Sequence, residues 1–134
     1  MQVIVKDEFF KKGFTHRDQW AWCEVGWGNK WVTDPNWNNE HTWNCAFRLV
    51  FKLKNNIKLR FHTTAVQRYH LYLDGEKIAF GPDRGDDGNW FYQTFDEKLS
   101  AGKHTIVAFV SYAIGSGYEH NGHIGNSPAF MLHA

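Results

Sequence analysis

The stretch from residue 69 to residue 80, YHLYLDGEKIAF, decides the fold class of this chain. Its apolar residues alternate along two short arms on either side of Asp74-Gly75. An Asp-Gly pair between two alternating runs is the strongest short signal of a β-hairpin, because both residues tolerate the positive φ of a type I′ turn. The stretch therefore predicts two antiparallel strands.

Further strand-like segments lie on both sides of this hairpin. In residues 45–53 the alternation places Phe47, Leu49, Phe51 and Leu53 on one face, and an Asn55-Asn56 turn leads into residues 57–65. Strands are also predicted over 20–25, 90–95, 104–112 and 128–133, with Ala101-Gly102-Lys103 as the turn before 104–112. No window of eleven or more residues has a helical period. The pattern predicts a single all-β domain built as an antiparallel β-sandwich.

The composition agrees with a single folded domain of 134 residues. Apolar residues make up 43% and charged residues 22%, which excludes disordered and fibrous proteins. Fifteen Lys and Arg against fourteen Asp and Glu give a net charge of +1, without the positive excess of a nucleic-acid binder. No apolar run approaches the ~20 residues of a membrane span. We expect neither nucleic acid nor a membrane as a partner.

Three loops are the candidates for function. They cover residues 26–44, which are rich in Trp and Asn, and the polar, Gly-rich stretches 81–89 and 113–127. Long loops inside a compact domain usually carry function, and on a sandwich they cluster at its two ends.

The second loop, GPDRGDDGN, concentrates the carboxylates Asp83, Asp86 and Asp87. Paired carboxylates serve as acid and base in glycoside cleavage when the fold holds them at the right separation. The same oxygens suit calcium, although the spacing differs from the EF-hand loop. The third interpretation is a solvated turn whose Asp side chains bond nearby backbone amides. All three stay open at this point.

Aromatic residues are unusually frequent, at 17% with seven Trp. Sugar rings stack on aromatic rings through their C–H faces, while flanking Asp, Asn and Arg side chains bond the hydroxyls. The loop aromatics are either such a face or a cover packed over the open end of the sandwich. They are Trp27, Trp31, Trp37, Trp43, Trp90 and Tyr118.

Other chemistry has weaker signals. His120 and His123 share a loop with Glu119 but lack the HExxH frame of a zinc site. Cys23 and Cys45 are the only cysteines, and they are either a disulfide or two buried free thiols. No GxSxG nucleophile elbow is present. We therefore expect neither a zinc site nor a nucleophilic enzyme.

Residues 61–112 resemble the non-catalytic β-sandwich modules that precede the catalytic barrel in bacterial α-L-rhamnosidases and related glycoside hydrolases. The shared pattern is a strand ending in Ala, then Tyr-x-Leu-Tyr-x-Asn/Asp-Gly, Gly-Pro-x-Arg, a Trp-Tyr pair and Leu-x-x-Gly. It lies here at Ala65, Tyr69 to Gly75, Gly81 to Arg84, Trp90 to Tyr92, and Leu99 to Val110. Similar elements at 30–32, 47–51 and 128–132 extend the likeness over about residues 20–133.

The resemblance implies a galactose-binding-like jelly roll without catalytic residues, since the family's catalytic carboxylates lie in a separate barrel. Some of these modules bind L-rhamnose or another sugar, with calcium in or near the site, and others only dock against neighbouring domains. The matching positions here are Arg68, Asp83, Arg84, Asp86 and Trp90.

These observations together predict a carbohydrate-binding accessory module of a rhamnosidase-type glycoside hydrolase, attached to the catalytic domain of the same polypeptide. Trp90 and a loop Trp such as Trp37 would stack on the sugar. The polar ligand-binding residues would be Arg68, Asp83, Arg84, Asp86 and Asn89, and the calcium ligands Asp83, Asp86 and Asp87. The alternatives are a structural module that docks on the catalytic domain and a small hydrolase that uses the Asp-rich loop. If the parent enzyme is exported, the compartment would be extracellular or periplasmic.

Overall fold

Two antiparallel β-sheets of four strands each form the described part of the chain. The computed structural model describes residues 2–5, 32–38, 40–83, 89–114 and 128–134, with 2–5 and 89–90 as backbone only. The strands are β1 (Gln2–Val5), β2 (Trp43–Leu53), β3 (Ile57–Ala65), β4 (Arg68–Leu73), β5 (Glu76–Gly81), β6 (Asn89–Leu99), β7 (Gly102–Tyr112) and β8 (Phe130–His133). Their order is β1-β6-β3-β8 in the first sheet and β2-β7-β4-β5 in the second.

The two sheets enclose one hydrophobic core. Alternate residues of the central strands β4 and β7 are buried, as a half-covered antiparallel sheet requires. Tyr69 of the second sheet packs on Phe130 of the first, with ring centroids 5.6 Å apart. Phe61 and Leu71 are no more than 1% exposed. The predicted all-β antiparallel sandwich is thereby confirmed, while the jelly-roll connectivity stays a prediction.

The Asp74-Gly75 turn has the predicted geometry. Asp74 has a φ of 52° and Gly75 a φ of 92°, so both central residues of the turn are left-handed. The hairpin also contains an irregularity that the sequence did not indicate. Leu71 pairs with Ala79 but Tyr72 pairs with Lys77, which leaves Ile78 as the extra residue of a bulge.

Several strand limits differ from the prediction. β2 begins two residues earlier, at Trp43, which was predicted to lie in a loop and is instead 7% exposed in the core. β6 continues past Phe95 to Leu99, because this segment pairs with residues 57–60 of β3 and Leu99 is buried in the core. β7 already includes Gly102, so the turn before it is shorter than predicted. β1 was not predicted, since four residues are too short a signal, and the predicted strand 20–25 lies outside the described residues.

An ion pair closes the hairpin turn against β7. His104 Nδ1 lies 2.6 Å from Asp74 Oδ2, and His104 Nε2 lies 2.8 Å from the Ser100 carbonyl oxygen. The backbone N–H of Thr105 donates to Asp74 Oδ1 at 2.8 Å. The Ser100 carbonyl, and then Asp74, raise the pKa of His104, while His104 and then the Thr105 N–H lower the pKa of Asp74.

We expect Asp74→Asn to lower the melting temperature more at pH 5.5 than at pH 8.5. Asn tolerates positive φ, so the turn itself is kept. Because the pKa of His104 is higher in the folded state than in the unfolded state, protonation of His104 stabilises the fold. This stabilisation is present in full below the unfolded-state pKa of about 6.5, and it is lost as the pH rises through the raised pKa. Thermal melts of Asp74→Asn and of Glu76→Gln, which removes an exposed carboxylate beside the same turn, test this. Equal losses at both pH values for Asp74→Asn would contradict the ion pair.

Candidate functional site

The predicted site residues in the described chain gather at one end of the sandwich, here called the loop end. The register places the start of β4 beside the end of β5, through the pair Tyr69 and Gly81. It places the start of β2 beside the end of β7, through Trp43 and Tyr112. In the first sheet the end of β3 lies beside the start of β8, and the end of β1 beside the start of β6. Arg68, Asp83, Asn89 and Trp90 therefore share this end.

Connection length distinguishes the loop end from the opposite end. At the opposite end, the strands are joined by residues 54–56, 74–75 and 100–101. At the loop end, residues 66–67 join β3 to β4, but much longer stretches of sequence separate β1 from β2, β5 from β6 and β7 from β8. Loops of this length, held by a rigid sandwich, are the usual carriers of binding residues.

Trp37 is held at the loop end by two contacts. Its indole Nε1 donates to the His41 carbonyl oxygen at 3.2 Å. Its ring lies edge-on to the ring of Tyr112, with centroids 5.3 Å apart and an interplanar angle of 79°. The side chain is half-buried, so part of the indole faces solvent. It combines a fixed orientation with an accessible surface, as a stacking residue requires.

Asp34 organises the segment that carries Trp37, a role that was not predicted from the sequence. The N–H of Asn36 donates to Asp34 Oδ1 at 2.9 Å, and Trp43 Nε1 donates to Asp34 Oδ2 at 3.4 Å. These bonds lower the pKa of Asp34, the Asn36 N–H having the largest effect. The Asp-x-Asn spacing of an Asx turn was the available signal.

Arg68 opens β4, Asp83 comes two residues after the end of the neighbouring strand β5, and both are exposed. The residue after Arg68 is the buried Tyr69, whose hydroxyl donates to Gln93 Oε1 at 2.5 Å and so links the two sheets. Burial raises the pKa of Tyr69, and the nearby Asp83 carboxylate adds to the effect. Asp83 is thus placed beside a rigid, uncharged phenol.

Gln67 fixes the β3–β4 connection to the end of β7. Its Nε2 donates to the Ala113 carbonyl oxygen at 2.9 Å, and the Ala113 N–H donates to its Oε1 at 2.7 Å. The side chain is 4% exposed. These two hydrogen bonds hold the first residue of the third predicted loop against the sandwich. The sequence carried no signal for it, because an isolated Gln has many roles.

The remaining predicted residues are described in part or not at all. Asn89 and Trp90 are the first residues of β6 and pair with Val5 and Ile4 of β1. Arg84, Asp86 and Asp87 lie outside the described residues, as do Trp27, Trp31, Tyr118, Glu119, His120, His123 and Cys23. Cys45 is a half-buried free thiol, and burial is the main cause that raises its pKa.

The described residues contain no group of three or more His, Cys, Asp or Glu side chains that could hold a metal ion. The same ranges contain no helix long and apolar enough to cross a membrane.

Comparisons of the chain with protein-family models, with curated proteins and with solved structures each gave no match.

Proposed function

We propose that this chain is a non-catalytic carbohydrate-binding module that takes a sugar such as L-rhamnose at the loop end. The observation that carries the proposal is the convergence of Trp37, Arg68, Asp83 and the Asn89-Trp90 segment on one end of the sandwich. A partly exposed indole, a cation and a carboxylate at the same end of the sandwich supply the mixed chemistry that sugar recognition needs.

The finer features of the proposal come from the resemblance. They are a galactose-binding-like jelly roll and attachment to the catalytic domain of a rhamnosidase-type glycoside hydrolase. Calcium bound by Asp83, Asp86 and Asp87 is part of the same proposal. Within that set, the structure describes Asp83 as an exposed carboxylate that is open to solvent or to a cation.

We expect L-rhamnose or a related sugar to change the Trp fluorescence of the protein in a saturable way. A panel of monosaccharides should be titrated first with calcium and then with a chelator. A response that disappears in chelator supports calcium at the site, and one that persists supports direct binding by the side chains. Trp37→Ala and Trp90→Ala should each reduce the affinity by about tenfold, as the loss of a stacking contact predicts.

Trp20→Phe is the matched control, because it removes an indole at a position to which no sugar contact is assigned. Unchanged affinity in both the Trp37 and Trp90 variants would overturn the proposal. No response to any sugar would favour the alternative, a structural module that docks on its catalytic domain.

A further inference from the structure

We propose that the outer face of the second sheet binds an acidic polysaccharide and continues the loop-end site along the sheet. The carbohydrate class of this ligand rests on the proposed function, whereas its charge and the place where it binds come from the sheet itself. The outer face consists of the residues whose side chains point away from the core, namely Asn44, Ala46, Arg48, Val50, Lys52, Arg68, His70, Tyr72, Lys77, Phe80, Lys103, Thr105, Val107, Phe109 and Ser111.

A row of aromatic rings crosses this outer face. Phe80, His70 and Phe109 lie opposite one another on the neighbouring strands β5, β4 and β7. Because adjacent strands are about 4.8 Å apart, the row spans about 10 Å. Phe80 is 62% exposed and Phe109 is 54% exposed. Contiguous exposed aromatic side chains on a small domain mark an interaction site.

The rings are held in place by their neighbours on the sheet. Tyr72 lies edge-on to Phe109, with centroids 5.7 Å apart and an angle of 88°. His70 lies edge-on to Phe80 at 6.4 Å. Lys77 Nζ is 5.6 Å from the centre of the Phe80 ring. A ligand that stacks on this row meets rings whose orientation is already restricted, which lowers the entropy lost on binding.

The charge of the outer face is uniformly positive. It carries no Asp or Glu and five cationic side chains, namely Arg48, Lys52, Arg68, Lys77 and Lys103. The first sheet differs, because there Asp96 accepts hydrogen bonds from Arg60 at 2.8 and 3.1 Å and pairs with Lys58 at 2.8 Å. The outer face of the second sheet is therefore strongly basic, although the whole chain has a net charge of only +1. The basic face favours an anionic ligand.

The positions of the cations suit a linear acidic polymer. Arg68 stands on one side of the aromatic row, and Lys77 and Arg48 stand on the other. A uronic-acid chain lying along the row would place C–H faces on the rings and carboxylates within reach of these cations. Arg68 belongs both to the outer face and to the loop end, so one polymer can occupy both surfaces.

Two other occupants agree less well with the structure. A second copy of the chain would bring two faces of the same charge together, which costs association energy. Single-stranded nucleic acid also combines rings with negative charge and would meet the same cations, but it would not continue the sugar site proposed at the loop end, on which the carbohydrate class rests. The test therefore also measures the binding of a single-stranded oligonucleotide.

The test is affinity electrophoresis of the protein through gels containing polygalacturonate, its fully methyl-esterified neutral form, or neither. We expect retardation by polygalacturonate that is at least about tenfold weaker for Phe80→Ser/Phe109→Ser, since two stacking contacts are lost. Phe80→Tyr/Phe109→Tyr should keep the retardation. Arg48→Ser/Lys77→Ser should lose most of it, and the neutral polymer should retard the wild type less. Lys98→Ser, which removes one cation from the outer side of the first sheet, is the matched control and should stay within about twofold of the wild type.

Circular dichroism melts verify that each variant is folded. Retardation that is unchanged in the Phe double variant, or equal for charged and neutral polymer, would overturn the inference. So would tighter binding of a thirty-nucleotide oligo-dT than of polygalacturonate in solution. The monosaccharide titration separates the two proposals. A sugar response without polygalacturonate binding overturns the outer-face inference alone, and polygalacturonate binding without a sugar response overturns the loop-end proposal alone. A failure of both measurements overturns both.

Discussion

Leu71→Ala is expected to lower the free energy of unfolding by about 3 kcal/mol. Leu71 is 0% exposed on β4, which lies between β5 and β7 in the second sheet. Its removal leaves a cavity at the centre of the core, lined by residues that belong to regular strands and so have little freedom to close it. Urea unfolding of wild type and variant measures the difference.

Leu49→Ala provides the matched control for this prediction. Leu49 lies on β2 and is 54% exposed, so the same change of side chain removes little buried surface. We expect a loss below about 1 kcal/mol there. A loss at Leu71 no greater than the loss at Leu49 would mean that the two sheets do not pack as described.

Gln67→Ala is expected to cost about 2–3 kcal/mol and to weaken sugar binding as well. The substitution removes both hydrogen bonds to Ala113 and leaves its N–H and carbonyl groups partly buried without these partners. Ala113 follows the end of β7 at the loop end, so these two hydrogen bonds affect the site as well as the fold.

Asn56→Ala is the corresponding control at the opposite end. Asn56 Oδ1 accepts a hydrogen bond from the Ala101 N–H at 2.8 Å, but this bond is exposed to water. Its loss should cost less than about 1 kcal/mol and leave sugar affinity unchanged. Equal effects of the two variants on stability and on affinity would contradict the special role of Gln67.

Much of the fold could be predicted because its strands alternate strongly. The hairpin at Asp74-Gly75 combines a period-two pattern with a turn whose two residues both have positive φ, and the structure contains that turn. Residues 57–65 were predicted as a strand with the limits that β3 has. Such segments carry local information that is sufficient to define an element.

Strand limits and sheet membership were harder to predict, because long-range pairing decides them. β6 continues through Asp96 because that residue bonds Arg60 on β3, a partner thirty-six positions away. β2 and β3 follow each other in the chain but lie in different sheets. Alternation along a single strand contains no record of either pairing.

The candidate site could be predicted as residue types but not as an arrangement. Trp43 and Trp37 have the same signal in the sequence, yet Trp43 is buried in the core and Trp37 is half-exposed against Tyr112. The role of Gln67 depends on backbone groups and leaves no mark on the sequence pattern, whereas the role of Asp34 is indicated only by its Asx-turn spacing. The basic outer face was hidden for a further reason, because a near-neutral total charge does not show how the charges are distributed over the surface.

The proposed sugar site at the loop end can be tested by chemical-shift mapping of backbone amides during a titration with L-rhamnose. The same titration is made with any other sugar that changes the Trp fluorescence. If the loop end binds sugar, the amides of Trp37, Arg68, Asp83 and Ala113 should shift in a saturable way, while Asn56, Gly75 and Ala101 at the opposite end should not. Shifts confined to the opposite end, or no saturable shift with any sugar tested, would contradict sugar binding at the loop end.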